Sequence, residues 1–398
     1  MENKIILVLC CLFPTLMFSQ WGCTDPQATN YSQNATINDG SCTYPTTNYA
    51  LNLVANLANV IYETSGLLKL GDKIYTFNDS GASNVIYETD TIGTVLRNIV
   101  VQGATNVDWE AISANNTHVY IGDFGNNNGS RHNLCLYQFP INELVLDTVH
   151  ATKLNFKWQD QLVFTSLPDA NNFDCEAMIT TNDSIYLFSK NWVNLKTRCY
   201  RLPKTWNDTL SVSPVDSFYV DGMITDATYD SISKHLYLLG YKNNGSNFYT
   251  SFVWCLWDFP GTGFFSGNKR RIEIGNILNV SQTEGITLKS AYKGYISAEK
   301  ITAAITIPPK LFEFDFTTFF QSTASLNNVA TLDSIQVTNR ADGMDEISIN
   351  FPFKTCDLFD LQGNLLKEIR FPDKTISIAI KGQVILQIDG RMKRIFLP

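Results

Sequence analysis

The sequence predicts an all-β protein: a five-bladed β-propeller, with six blades as the alternative, followed by a small C-terminal β-sandwich. Three observations lead there. The 398 residues are 44% hydrophobic and 12% aromatic. They are rich in Thr, Ser, Asn, Ile, Val, Phe and Tyr and lack long Ala/Glu/Lys/Leu runs, a composition that suits strands. Between residues 48 and 325 a pattern of short strands recurs, marked by acids at Glu63, Glu110, Glu176, Asp226 and Glu284, which stand 47, 66, 50 and 58 residues apart. Repeats of that length holding four strands each are the signature of propeller blades. From residue 326 onward the rhythm stops.

The N-terminal stretch MENKIILVLCCLFPTLMFSQ sets one basic residue, Lys4, before an apolar run and ends at Ser19–Gln20. It reads as a secretory signal peptide over 1–20, too short and too poorly flanked to span a membrane. No other segment approaches the roughly 20 apolar residues that a transmembrane helix needs. The expectation is therefore an exported protein, secreted or held at the cell surface. A net charge of −8 without a basic stripe speaks against nucleic-acid partners.

The module at 21–47 is built on a turn-rich stretch, GCTDPQATNYSQNATINDGSC at 22–42, with no core of its own. Cys23 and Cys42 bracket it and are expected to pair as its staple. The oxygens of Asp25, Asn30, Asn38 and Asp39 either bind calcium or serve their own turns. The stretch resembles the GCTDP…NY…DGSC module found repeatedly in secreted Bacteroidetes proteins. Of the remaining cysteines, Cys135, Cys175, Cys199, Cys255 and Cys356 sit in apolar contexts that suit small buried side chains. Cys175–Cys199 is the candidate for a second bridge.

Five units follow. Their first strands are ETSGLLKL, DWEAISA, DCEAMITT, TDATYDS and TEGITLKS. Their second strands are KIYTFNDS, HVYIGDFG, SIYLFSKN, HLYLLGYKNN and KGYISAEK. Their third strands are NVIYETD, LCLYQFP, RCYRLP, FVWCLWDF and KLFEFDF. Fourth strands exist in units one to four, as TVLRNIVV, KLNFKWQ, VSPVDSFYV and RRIEIGN. The fifth unit lacks one, and ALNLVANL at 50–57 is free to supply it. That pairing closes the ring through the two ends of the repeat and removes the exposed edges.

The tail, 326–398, carries CDLFDLQGNLLKEI, TISIAI, GQVILQI and RMKRIFLP. It resembles the C-terminal sorting domain of the type IX secretion system, a small β-sandwich. The carried features are the turn from Asp360 to Gly363 with Asn364, Gly382 with Ile388, and the basic pair Lys393–Arg394. Val384 stands where the family has Tyr, and the chain ends in Leu-Pro rather than a lysine-rich tip. The resemblance implies the type IX machinery as a partner.

The acids carry the functional expectation. A first strand lining the channel and its antiparallel neighbour put the start of one and the end of the other at the same mouth. That gathers Glu63, Asp79, Asp108, Glu110, Asp123, Asp174, Glu176, Asp226, Glu284 and Glu299, with Lys190, Lys242 and Lys300. Three readings stand side by side. The carboxylates lock neighbouring blades; or Glu63, Asp79, Asp108, Glu110, Asp123 and Glu284 bind a divalent cation, calcium being the expected ion; or a metal or carboxylate pair activates water.

Nucleophile-elbow, zinc-protease and phosphate-loop motifs are absent, and the four histidines stand at no metal-ligand spacing. GDFGNNNGSRHN, 122–133, reads as a loop at the mouth with Arg131 in solvent. The stretch DWEAI…YIGDFGNNNGSR…LYQF resembles uncharacterised exported propeller-like proteins of Bacteroidetes, and more distantly phytase-like and esterase-like propellers. The sequence thus favours a non-catalytic binding propeller for a protein, glycan or small-molecule ligand. A calcium-dependent hydrolase of an ester or phosphoester and a structural adhesin are the alternatives.

Overall fold

The computed structural model describes residues 20–320, apart from 246–247 and 303–305, and seven strands of the C-terminal part. The expected signal peptide lies outside the described residues. The chain divides into two compact units, Met1–Gln321 and Ser322–Pro398.

In the first unit five sheets stand around a common axis, each with its first strand innermost. The five inner strands are Thr64–Leu70, Trp109–Ala114, Asp174–Thr180, Met223–Asp230 and Gln282–Ser290. Neighbouring inner strands touch in that order and the fifth touches the first, so the ring is closed. The closing strand is Asn52–Asn56, which pairs antiparallel with Lys310–Asp315 and completes blade five from the N-terminal side, as the spare strand at 50–57 implied.

Each blade is covered on both faces by its neighbours. Its second strand is therefore buried along its whole length rather than on alternate residues: all seven residues of Ser184–Lys190 are buried, around the apolar run Ile185–Phe188. Five apolar clusters fill the five gaps between sheets. Trp109, Phe77 and Tyr137 pack between blades one and two, and Leu57, Ile61, Tyr87 and Tyr295 between blades five and one. Burying a side chain of this size stabilises by about 1.5–3 kcal/mol.

The blades are less uniform than the expected four strands. Thr148–His150 adds in parallel to blade one, Leu210–Val212 to blade two and Thr47–Asn48 to blade four. Each is a short return of the chain to a neighbouring sheet's outer edge. These stitches cover edges that would otherwise present unpaired backbone groups.

Cys23 and Cys42 are joined. The small segment they staple lies on the outer part of blade four: Tyr44 packs on Trp257, and Asn38 Nδ2 donates to Asp258 and Asn268. The oxygens of Asp25, Asn38 and Asp39 accept from the backbone amides two residues on, of Gln27, Gly40 and Ser41, which is the turn-forming role, and that of Asn30 accepts from the more distant Thr43 amide. The second bridge does not form: Cys175 and Cys199 are both free and buried. They sit on either side of Ser184–Lys190, two strand spacings or about 9–10 Å apart, beyond disulfide reach.

The second unit holds two sheets. One is built from Ile335–Asn339, Asp345–Ile349 and Thr375–Ile378. The other is built from Leu365–Arg370, Thr355–Phe359, Gly382–Ile388 and Arg391–Leu397. The turn from Asp360 to Asn364 lies outside the described residues. Among the described residues, no helix is long and apolar enough to cross a membrane.

Ring closure gives a direct test. A chain starting at Thr46 is expected to keep one cooperative thermal transition. A chain starting at Ala58 loses the fourth strand of blade five and is expected to lose that transition and bind a hydrophobic dye. Equal melting of the two would show that Asn52–Asn56 does not hold the ring.

Candidate functional site

Strand register confirms the shared mouth. Thr64 lies opposite Asn78, Trp109 opposite Asp123, Asp174 opposite Lys190, Met223 opposite Tyr241 and Gln282 opposite Glu299. Just inside each of these pairs the inner strand carries one extra residue. The bulge residue is Glu110 in blade two, Glu176 in blade three, Thr225 in blade four and Glu284 in blade five. A bulge re-aims a side chain relative to the regular strand, here at the same height around the ring. In blade one Gly66 and Leu67 lie opposite Thr76 alone. Gly66 has φ +63°, and a Cβ there would come within 2.9 Å of the Ile112 amide nitrogen, so no side chain fits. The sequence repeat therefore aligns differently from the expectation: Thr225, not Asp226, is the blade-four equivalent, and Glu63 lies before the bulge.

Three of the acids are spent on the frame. Asp123 accepts from the amides of Val107 and Asp108 and pairs with Arg131 at 2.7 Å. Asp174 accepts from the Asn126 amide at 2.6 Å, from the Cys175 amide and from the Trp192 indole, tying blades two and three. Asp226 accepts from the Ile286 amide of blade five at 2.7 Å. Arg131 is thus a partly buried partner rather than a solvated side chain, and it also donates to the Gly125 carbonyl. Lys242 pairs with Asp221 and Lys300 is exposed, so neither neutralises the channel.

The remaining acids, Glu63, Asp79, Asp108, Glu110, Glu176, Glu284 and Glu299, are bound less completely. Asp79 shares a hydrogen bond with Glu63, and burial, followed by the Glu63 charge, pushes its carboxyl up to about 8. Burial and then the Asp174 charge push Asp108 up to about 6. Glu110 lies well above the usual carboxylate range through burial, then through the facing Glu176. Glu299 is raised by burial and then by Glu284. Glu110 Oε1 and Asp108 Oδ2 crowd the backbone of Gly125, where a Cβ would meet them at 2.2 and 2.4 Å.

One cation answers them. Lys190 is buried, pairs with Glu176 Oε1, and lies 5.0 Å from the Trp192 ring centre and 5.1 Å from that of Tyr241. Burial, the largest single effect, would drive its ammonium toward neutrality, but Glu176 together with Tyr241, Glu284 and Asp174 outweighs it and holds the group charged. Glu176 Oε2 is left buried with no hydrogen-bond partner, on a residue only 6% exposed.

Of the six residues expected to ligate a cation, the structure turns Asp123 to the frame and leaves Glu63, Asp79, Asp108, Glu110 and Glu284 at the mouth. Among the described residues, no three His, Cys, Asp or Glu side chains are placed to hold one metal ion. The sequence expectation placed Glu176 and Glu299 at the mouth but left both out of the ligand set, and it did not single out Tyr241 or Trp192. The spacing from Glu110 to Glu176 carried the signal, but a bulge leaves no mark in sequence.

No protein-family profile matches the chain, and no curated protein sequence matches it. Among solved structures the chain is similar to the PQQ-bound aldose sugar dehydrogenase of Streptomyces coelicolor, at 9% identity over 67% of this chain and 98% of that one, with TM-score 0.37. It is similar to a mannose phosphorylase of Leishmania mexicana at 11% identity, over 68% and 89%, with TM-score 0.39. It is similar to an exo-β-1,3-galactanase of Clostridium thermocellum at 10% identity, over 90% and 81%, with TM-score 0.42. Likeness at this level carries no argument about ligand or chemistry.

Removing one member of a buried ion pair costs about 3–5 kcal/mol. Lys190→Met is expected to lower stability in urea by that amount, with Lys190→Met/Glu176→Gln recovering a large part. A loss under about 1 kcal/mol for the single variant, the worth of an exposed pair, would show that Lys190 does not hold the acids in place.

Proposed function

We propose that this chain is an exported or cell-surface binding propeller whose acidic mouth takes a positively charged ligand. The observation that carries the reading is the set of bulge glutamates, Glu110, Glu176 and Glu284, raised at one height around the channel, with Glu176 Oε2 buried and unpartnered. A buried carboxylate oxygen without a partner is unfavourable by several kcal/mol unless a donor or cation arrives. Export is supported by the signal-like leader, the Cys23–Cys42 bridge and the sorting-domain resemblance of the tail, with type IX secretion as the proposed route.

Calcium is the first cation to try, because a hard divalent ion prefers carboxylate oxygens. The test is thermal unfolding of the full secreted chain with calcium and then with excess chelator. A rise of several degrees that the chelator reverses supports the ion. No shift with calcium or with any organic cation removes the binding reading.

A second reading rests on Asp79 and Glu63. A carboxyl that holds its proton to about 8 beside a second carboxyl is the arrangement that divides acid and base roles in hydrolysis. A hydrolase of an ester or phosphoester requires that Asp79→Asn abolish turnover while the melting temperature is kept.

The raised carboxyls also set a pH dependence. Between the ordinary value of 3.8 and about 8 for Asp79, or about 6 for Asp108, the folded chain keeps protons that the unfolded chain has released. Their contribution to stability therefore falls as pH rises. The groups facing Asp79 are Glu63, Glu284 and Asp108; those facing Asp108 are Asp174, Asp123, Arg131 and Lys190. The ligand-free melting temperature is expected to drop from pH 5 to pH 8.5, and Asp79→Asn to make that drop smaller. An unchanged slope in the variant would show that Asp79 titrates normally.

A further inference from the structure

We propose that the cation seated at the mouth is an alkylammonium group carried on an aliphatic body, held between Glu110 and Glu176 at the junction of blades two and three. The inference rests on the reading of the mouth as a cation site and names the cation.

The first argument is the spread of the acids. A calcium ion draws six to eight oxygens onto one point at 2.3–2.6 Å, whereas no three acidic side chains among the described residues are so placed. Carboxylates set singly around a ring suit a donor with several N–H bonds pointing in different directions, and an ammonium has three.

The second argument is that the chain already houses this chemistry. Lys190 places its ammonium against Glu176 Oε1 and beside the rings of Trp192 and Tyr241. A carboxylate with aromatic faces is the environment that recognises alkylammonium ions. Lys190 uses one oxygen of Glu176. The other, Oε2, is buried and unpartnered, and the Glu176 charge bears on Glu110 more than any other. One further ammonium between these two carboxylates satisfies the orphan oxygen and lets Glu110 ionise.

The third argument is what surrounds the seat. Val107, Leu162, Val163, Leu167 and Val193 are exposed, Leu162 at 85% and Val193 at 62%. All five stand in the connections that lead into or out of the mouth ends of blades two and three. The loop bearing three of them is tied down: Gln161 Nε2 donates to the Gly129 carbonyl at 2.7 Å, the Leu167 amide to Asn128 at 2.9 Å, and Phe164 stacks on His132. Aliphatic side chains held in solvent by an ordered loop, beside a buried negative seat, match a ligand with a charged tip and an apolar stem.

Such a group comes from a lysine side chain of a protein or from a free polyamine, and two probes separate the sources. Calorimetry on the full chain at pH 8 would use acetyl-Leu-Lys-Leu-amide, 1,5-diaminopentane, the uncharged acetyl-Leu-norleucine-Leu-amide, and calcium chloride. Binding of the lysine peptide or the diamine, with the uncharged peptide silent, is the expected result. A tighter peptide assigns a protein partner, and a tighter diamine assigns a polyamine. Glu110→Gln is expected to weaken binding at least tenfold while the melting temperature in the absence of ligand holds or rises. Leu162→Ser/Val193→Ser should weaken the peptide and spare the diamine. Should Glu110→Gln fail to fold, Glu284→Gln reads the same loss from the other side of the channel. Amine binding unchanged by both glutamate variants overturns the proposal. Calcium binding without amine binding overturns it and leaves the cation reading standing, and silence of every probe removes both.

Discussion

Antiparallel pairing of Asn52–Asn56 with Lys310–Asp315 is the contact on which the other features depend. A propeller has no single core. Each apolar cluster lies between two sheets, so every cluster requires both of its blades to be in place. Closing the last blade with a strand from the beginning of the repeat converts five pairwise interfaces into a ring in which none can open alone. The ring also fixes the channel: with five inner strands in mutual contact, whatever the strand starts carry is forced together whether or not the charges favour it.

That constraint explains how a chain tolerates so many acids at one height. Asp123, Asp174 and Asp226 are stabilised by backbone amides and by Arg131. They act as joints within and between blades, the role that repeated residues in repeat proteins usually have. Glu110, Glu176 and Glu284 differ in kind because the bulges lift them out of the regular strand. The frame that the first group builds is what holds the second group in an environment it would otherwise leave.

Much of the fold was legible. The Tyr-marked second strands, the acids before the first strands and the spare strand at 50–57 predicted blade number, strand order and ring closure. The five clusters follow from strands that are apolar on both faces. The stitches at Thr148–His150, Leu210–Val212 and Thr47–Asn48 were not legible, because two or three residues hold no period. The site was half legible. Register placed the acids at one mouth, but a bulge adds a residue without changing composition, so Asp226 was aligned where Thr225 belongs. Arg131, in an Asn- and Gly-rich loop, carried no sign that it would pair with Asp123.

Lys190 decides what the mouth can be. With no lysine, burial would raise Glu176, Glu284 and Glu299 further, because the Lys190 charge lowers all three. With a lysine for every glutamate, the ring would be a closed lattice of ion pairs. One lysine among seven incompletely bound acids falls between these cases: it pairs with Glu176 and uses only one of its two oxygens, while burial still holds that carboxyl well above the usual carboxylate range. Glu110, on the neighbouring blade, is raised by burial and then by the Glu176 charge. Blade three therefore anchors the site and leaves one carboxyl oxygen without a partner, and the exposed aliphatic rim lies on that same side. These three features at one blade junction are the ones on which the proposed cation seat rests.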